Sequence, residues 1–147
     1  MPVERSAGLI LFNEAREGRR YLVLHSTPSP EYPDFWDFSK GVLDGNEKGV
    51  EAARREAQEE TGITDLDIIE GFKYTARYFR KNRNGKGIIP KFVAMFLART
   101  DKKEVKLSWE HDKFEWLTYE EALNRISNKE IKKSLEAAED FLNKNDI

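Results

Sequence analysis

Cysteine is absent from this 147-residue chain, which excludes a disulfide framework, a thiol nucleophile and a zinc site built on sulfur. Only two histidines, His25 and His111, are present, too few for a metal cluster of their own, and neither is expected to take a catalytic part. No apolar run approaches the roughly 20 residues that a membrane-spanning helix needs, and the N-terminus lacks the apolar centre of a secretory signal. A cytoplasmic protein with no membrane partner is therefore expected. The formal net charge is only −2, so the molecule as a whole exerts no strong pull on nucleic acid or on anionic lipid. Any affinity for phosphate has to be local.

What is present suits one domain over residues 1–147, with 39% hydrophobic and 35% charged residues and enough length for a proper core. Arg5–Phe12 and Tyr21–Leu24 are short apolar runs that read as buried strands, with the charged stretch Asn13–Arg20 turning between them. Pro28, Pro30 and Pro33 make Ser26–Asp34 a surface loop. Trp36–Phe38 alternates as a brief strand. A long strand is expected over Leu66–Lys81, an Asn-Gly hairpin turn within Asn82–Gly87, and a returning strand over Ile88–Ala98, with Pro90 at an edge or strand end. Lys113–Leu117 reads as a last short strand. Thr118 and Glu121 form a capping box for a helix over about 119–127, and a final helix after Asn128 carries Ile131, Leu135, Ala138 and Leu142 on one face. Strands interrupted by one helix, then further strands and terminal helices, imply an α/β fold with a mixed sheet covered on both faces.

The stretch that organises the rest is Gly41–Ile63, GVLDGNEKGVEAARREAQEETGI. It is rich in Ala, Glu, Arg and Gln, contains no proline and ends at Gly62, so a helix over about 47–61 is expected, burying Val50, Ala53 and Ala57. At about 100° per residue, Glu56, Glu59 and Glu60 fall within roughly a 100° arc. Like-charged i,i+4 pairs on a helix cost about 0.2–0.5 kcal/mol each. A bound cation offsets that repulsion, and hard oxygen ligands favour Mg²⁺, Mn²⁺ or Ca²⁺. Taken alone, an acidic helix face is most often a solvated surface. Here it has fixed company: Gly41 six residues before Glu47, Arg55-Glu56 eight and nine after it, and Gly62-Ile63 closing the run.

Written as G-x5-E-x7-R-E-U-x-E-E-x-G-U, the stretch resembles the signature of the Nudix hydrolases at every fixed position, with Ala57 a small residue where a larger aliphatic is common. The resemblance implies an α/β/α sandwich around a mixed sheet and hydrolysis of a nucleoside diphosphate linked to another moiety. Mg²⁺ is the implied cofactor, with Mn²⁺ as a substitute. Glu56 and Glu60, one helical turn apart, can reach a common ion; Glu59 flanks them, to hold a second ion or to take a proton from water. The backbone carbonyl of Gly41 is a further implied ligand. Arg55 is expected to orient a glutamate, and Glu47 to tie the loop to the helix.

Three further stretches, Trp36–Gly41, Ile68–Lys73 and Leu107–Leu117, together resemble the asymmetric diadenosine tetraphosphate (Ap4A) hydrolases of that family. That likeness runs from about Gly8 to Leu142. It implies water-dependent cleavage of Ap4A into ATP and AMP, with Glu110 reaching the metal from outside the helix. It further implies that Tyr78 and Phe114 sandwich an adenine while Lys40 and Lys91 contact the phosphate chain. For each aromatic the alternative is ordinary core packing. The sequence departs from the group's habit at Phe38-Ser39, Val42, Gly45-Asn46 and Trp109, all on loops that shape a pocket and none at an implied metal ligand.

The basic stretch Arg77–Lys86, RYFRKNRNGK, reads equally as a site for polyphosphate or an RNA 5′ end and as a solvated hairpin tip. That stretch keeps RNA 5′ ends as an alternative to Ap4A, and the Nudix resemblance adds ADP-ribose and inositol pyrophosphates. A nucleotide-sensing domain that binds without cutting is the reading from another class. Oligomeric state is left open.

Overall fold

The computed structural model describes residues 3–147. Its backbone is a mixed eight-stranded sheet with three helices, the α/β/α sandwich expected. The strands are β1 (Glu4–Ala15), β2 (Gly18–Ser26), β3 (Trp36–Asp37), β4 (Ser39–Val42), β5 (Asp67–Ile68), β6 (Tyr74–Lys81), β7 (Ile88–Arg99) and β8 (His111–Leu117). The helices are α1 (Gly49–Thr61), α2 (Tyr119–Arg125) and α3 (Lys129–Lys144).

The alternation along β1 divides the core. Leu9 and Leu11 face a cluster with Ala52, Ala53 and Ala57 of α1; Ile10 and Phe12 face Ile131, Leu135, Ala138 and Leu142 of α3. All four of those α3 side chains are fully buried, as their helical spacing predicts. The β1–β7 pair is parallel, Glu4 opposite Lys91 through Phe12 opposite Arg99, while the other pairings are antiparallel.

One feature of the sheet positions everything that follows. Strands β1 and β2 pair only from Phe12–Tyr21 to Ala15–Gly18 and then part. The segment Trp36–Val42 fills the opening, its first half on β2 as β3 and its second half on β1 as β4. The chain leaves that opening at Gly41 and Val42, turns at Asp44–Glu47, and enters α1, which packs on β1 and β4.

Several expectations need correction. The turn after β1 is only Arg16-Glu17, because Asn13–Ala15 and Gly18–Arg20 extend the ladder. Helix α1 starts at Gly49, two residues late, since Glu47 is taken up by the preceding turn. Its buried face is Ala52, Ala53 and Ala57, with Val50 half-buried. The long strand over Leu66–Lys81 is broken: β5 lasts two residues, and a turn at Glu70-Gly71 intervenes, with Gly71 at φ 91°, before β6 begins at Tyr74. The hairpin loop falls at Asn82–Gly87 as expected, with Gly85 and Gly87 both at positive φ. Pro90 lies opposite Phe79 just before β7 takes up its pairing with β1 at Lys91, so its missing N–H interrupts no ladder on that side.

Candidate active site

Helix α1 supplies the acidic centre. Its N-terminus is closed by Glu51, whose carboxylate accepts from the Lys48 N–H (3.1 Å), and its C-terminus by Gly62 in the left-handed conformation. Between them, Arg55 gathers the carboxylates. It donates to Glu47 (2.8 and 3.0 Å), to Glu56 (2.9 Å) and to Glu59 (3.2 Å). Those bonds, Glu47 first, hold its guanidinium charged more firmly than usual. Gly41 packs against Glu56 so closely that a Cβ there would overlap the carboxylate. The glycine of the motif is thus required by space, since its φ is unremarkable.

Glu60 is the unusual member. It is 2% exposed, its Oε2 is buried without a hydrogen-bond partner, and its pKa is pushed up to about 10 by burial, then by the charges of Glu56 and Glu110 and by Asp37. Burial also raises Glu56, against the pull of Arg55. Two carboxylates and an unsatisfied buried oxygen on one turn form a local deficit of positive charge that Arg55, occupied with Glu47, Glu56 and Glu59, does not fill.

Glu110 sits in the turn before β8. Its carbonyl accepts from the Thr27 N–H (2.9 Å), and its side chain is exposed on the side from which Glu60 feels its charge. The next residue, His111, brings Nε2 to 3.7 Å from Glu60 Oε1, too long for a hydrogen bond but within electrostatic reach. Burial lowers its pKa. No catalytic part is assigned to His111 by sequence, and only the fold brings it here. His25 is placed differently: it is buried against Trp36 and bonded to Asp34 (2.8 Å) and Asp112 (2.6 Å), which fixes the proline loop to β8.

A second group of charges lies in the opening between β1 and β2. Asp37, 3% exposed, stands 2.5 Å from Lys40 Nζ, and Lys40 donates to the Tyr78 hydroxyl (3.1 Å). Burial opposes the Lys40 ammonium, but Asp37 and Tyr78 outweigh it and raise its pKa. Lys91 is paired with Glu4 (3.0 Å), which also binds Arg80 (3.3 Å) and Arg83 (2.9 Å); burial and the nearby Lys40 lower the Lys91 pKa. Lys40, Tyr78, Arg80, Arg83 and Lys91 line a cleft of about 580 Å³ together with Tyr32 and Phe35. Asp37 escaped sequence reading, although a carboxylate between two aromatics in a buried strand is itself a signal.

The adenine sandwich expected of Tyr78 and Phe114 does not form. Tyr78 packs with the cluster on the α3 side, whereas Phe114 lies opposite Leu24 and packs with the cluster on the α1 side. The two rings occupy opposite faces of the sheet. Lys40, Tyr78 and Lys91 do come together; Gly41, Arg55, Glu56 and Glu60 form a separate cluster, with Glu59 on its exposed rim and Glu110 approaching from the β8 turn.

The donor set suits a hard divalent cation: carboxylates from one helical turn, a close-packed glycine, and the unpartnered oxygen of Glu60. Among the described residues no three acidic or histidine side chains already form a closed cage, because Arg55 is bonded to Glu56 and Glu59 in this packing. No helix among them is long and apolar enough to cross a membrane.

The family model described as NUDIX domain matches residues 2–138. The chain is 33% identical over 148 residues to the asymmetrical bis(5′-nucleosyl)-tetraphosphatase of Mus musculus, covering 94% of this chain and 95% of that protein. A solved Ap4A hydrolase of C. elegans, in a binary complex, superposes with a TM-score of 0.81 at 31% identity, over 95% of this chain and 97% of that one. An RNA pyrophosphohydrolase of Bartonella henselae is 37% identical over 81 residues, 53% of this chain and 46% of that protein.

Proposed function

The chain belongs to the Nudix family of hydrolases, and from that premise we propose that it cleaves dinucleoside polyphosphates in a divalent-metal-dependent reaction, taking Ap4A and water to ATP and AMP. The observation that carries the metal dependence is Glu60, a buried carboxyl whose free oxygen and raised pKa call for a cation. The substrate assignment draws on the likeness to the mouse and C. elegans proteins over nearly the whole chain.

Glu56, Glu59, Glu60, Glu110 and the Gly41 carbonyl would hold Mg²⁺, or Mn²⁺ in its place, and the bound ion supplies charge neutralisation of the phosphates and a water of lowered pKa. The remaining work falls to the chain. Arg55 orients Glu56 and Glu59 through three bonds from one guanidinium nitrogen, and Glu47 fixes the guanidinium from the opposite side. Glu59, more open than Glu56 and Glu60, is placed either to hold a second ion or to accept the proton of the attacking water. Lys40 and Lys91 neutralise the phosphate chain and set it in line with the attack. Tyr78 stacks an adenine. Phe35, which lines the same cleft, takes the place expected of Phe114 as its companion ring.

A second reading, removal of pyrophosphate from RNA 5′ ends, is favoured by Arg80, Lys81 and Arg83 along the cleft and by the Bartonella relative. The deciding experiment incubates the protein with Ap4A and Mg²⁺ and compares kcat/KM with that for triphosphorylated RNA. ATP plus AMP, with Ap4A preferred, is expected. Two ADP molecules would refute the asymmetric assignment, a preference for RNA would favour the second reading, and saturable binding without product would make the protein a sensor.

A further inference from the structure

Trp109 is 85% exposed, the most open of the large apolar side chains described, while Trp36 is buried and Trp116 half-buried. An indole left in water keeps a large apolar face available to a flat ligand, and its meaning depends on where the ring stands. Its backbone is not loose. The Trp109 carbonyl accepts from the Thr27 hydroxyl (2.8 Å), the Glu110 carbonyl from the Thr27 N–H (2.9 Å), and the His111 N–H reaches back to the Ser108 carbonyl (3.3 Å). The ring is therefore exposed on a turn fastened to the proline loop that also carries Tyr32 and Phe35.

Its position along the site is defined by a series of contacts. Tyr78 meets Lys40, Lys40 meets Asp37, Asp37 is felt at Glu60, Glu60 faces His111, and Trp109 stands two residues before His111. Trp109 also precedes Glu110, whose charge is felt at Glu60, so both aromatic residues border the acidic centre, Tyr78 from the cleft and Trp109 from the turn before β8. A dinucleoside polyphosphate has a base at each end of its phosphates.

We infer that Trp109 is a stacking platform for the second nucleobase of the substrate, the one not held in the Tyr78 cleft. The inference rests on the proposed activity and adds a specificity residue to it. A single ring open on one side reads no hydrogen-bonding edge, so the second base is accepted by its π-face and its identity matters little. Ap4G, bound by its adenosine in the cleft, is then handled about as well as Ap4A. The ring contributes to binding both ground and transition states, so its loss acts on KM and leaves kcat nearly alone.

The test compares wild type, Trp109→Ala and Trp109→Phe on Ap4A, with adenosine 5′-tetraphosphate, which has one base, as a competitive inhibitor. Base–aromatic stacking strengths predict a KM for Ap4A raised about tenfold in Trp109→Ala, largely restored in Trp109→Phe, with the inhibition constant of the one-base nucleotide unmoved. In the wild type, Ap4A should protect tryptophan fluorescence from iodide quenching more than the one-base nucleotide does. An unchanged KM, or an equal rise in both constants, overturns the inference while leaving the hydrolase assignment standing. A wild-type protein that hydrolyses no dinucleoside polyphosphate removes the assignment itself, and the inference with it.

Discussion

Replacing Glu60 with glutamine should make the metal-free protein more stable while removing its activity. The carboxyl has an ordinary value of 4.5 and is pushed up to about 10 in the fold by burial and by Glu56 and Glu110. The unfolded chain gives up this proton first, so the sign is fixed. The stability associated with Glu60 is fully present below pH 4.5 and is lost as pH rises toward about 10. At about pH 7.5, folding without metal forces a proton onto a group roughly three pH units above its unfolded pKa. At about 1.4 kcal/mol per unit, that is an upper bound of about 4 kcal/mol. The bound does not depend on how far above the assay pH the folded value lies. Local relaxation and water entry will reduce it to about 2 kcal/mol.

Glutamine keeps the shape and carries no titrating proton. In EDTA, Glu60→Gln should therefore melt several degrees above wild type at pH 8, at about 2–4 °C per kcal/mol for a chain of this size. The gap should close toward pH 5. With Mg²⁺ the order reverses, because wild type gains binding free energy that the variant lacks, and turnover of the variant should fall by orders of magnitude. A metal-free variant no more stable than wild type at pH 8, or a gap that is the same at pH 5 and pH 8, would refute the electrostatic reasoning. Near-normal turnover would remove Glu60 from the metal site.

Gly41→Ala should reduce turnover about a hundredfold or more with a much smaller effect on the melting temperature, because the three atoms nearest the added methyl all belong to the Glu56 carboxylate; steady-state kinetics beside calorimetry will show it. Arg55→Lys should behave almost as Arg55→Ala in kcat, since one ammonium cannot span Glu47, Glu56 and Glu59 at once, and recovery by lysine would contradict the orienting role. Leu135→Ala should cost about 2–5 kcal/mol in urea unfolding and leave the KM for Ap4A of the remaining folded enzyme untouched, since Leu135 is fully buried on the inner face of α3 and does not line the cleft.

The parts legible in the sequence are those in which neighbours in the chain are neighbours in space. The acidic turn of α1, the Gly62 stop, the Thr118–Glu121 box and the α3 stripe depend on residues a few positions apart, where helical periodicity settles which side chains meet. The interruption of Leu66–Lys81 was hidden because Ile68, Ile69 and Phe72 suit a strand by type. Gly71 turns the chain there, and the ring of Phe141, from the far end of the sequence, packs against that turn. Asp37 and His111 became site residues only through the parting of β1 from β2, which no local pattern announces.

The failed pairing of Tyr78 with Phe114 locates where sequence reading stops. Alternation tells which residues of one strand share a face, but it cannot compare two strands until their register is known, and a shift of one residue exchanges the faces. Here β8 meets β2 through an irregularity at His25/Ser26, while β6 meets β7 with Tyr78 opposite Lys91. Tyr78 and Phe114 lie on strands that do not pair with each other, so the resemblance that joined them had no local pattern to check it. Most of the acidic centre is a local property of the 23 residues Gly41–Ile63, whereas the cleft beside it depends on strand register and two loops. The first can persist while the second is rebuilt, so that one family holds proteins named for Ap4A and for RNA, both similar to this chain. On that reasoning, substitutions that redirect substrate choice should fall at Phe35, Tyr78, Arg83 and Trp109 before any position between Gly41 and Ile63.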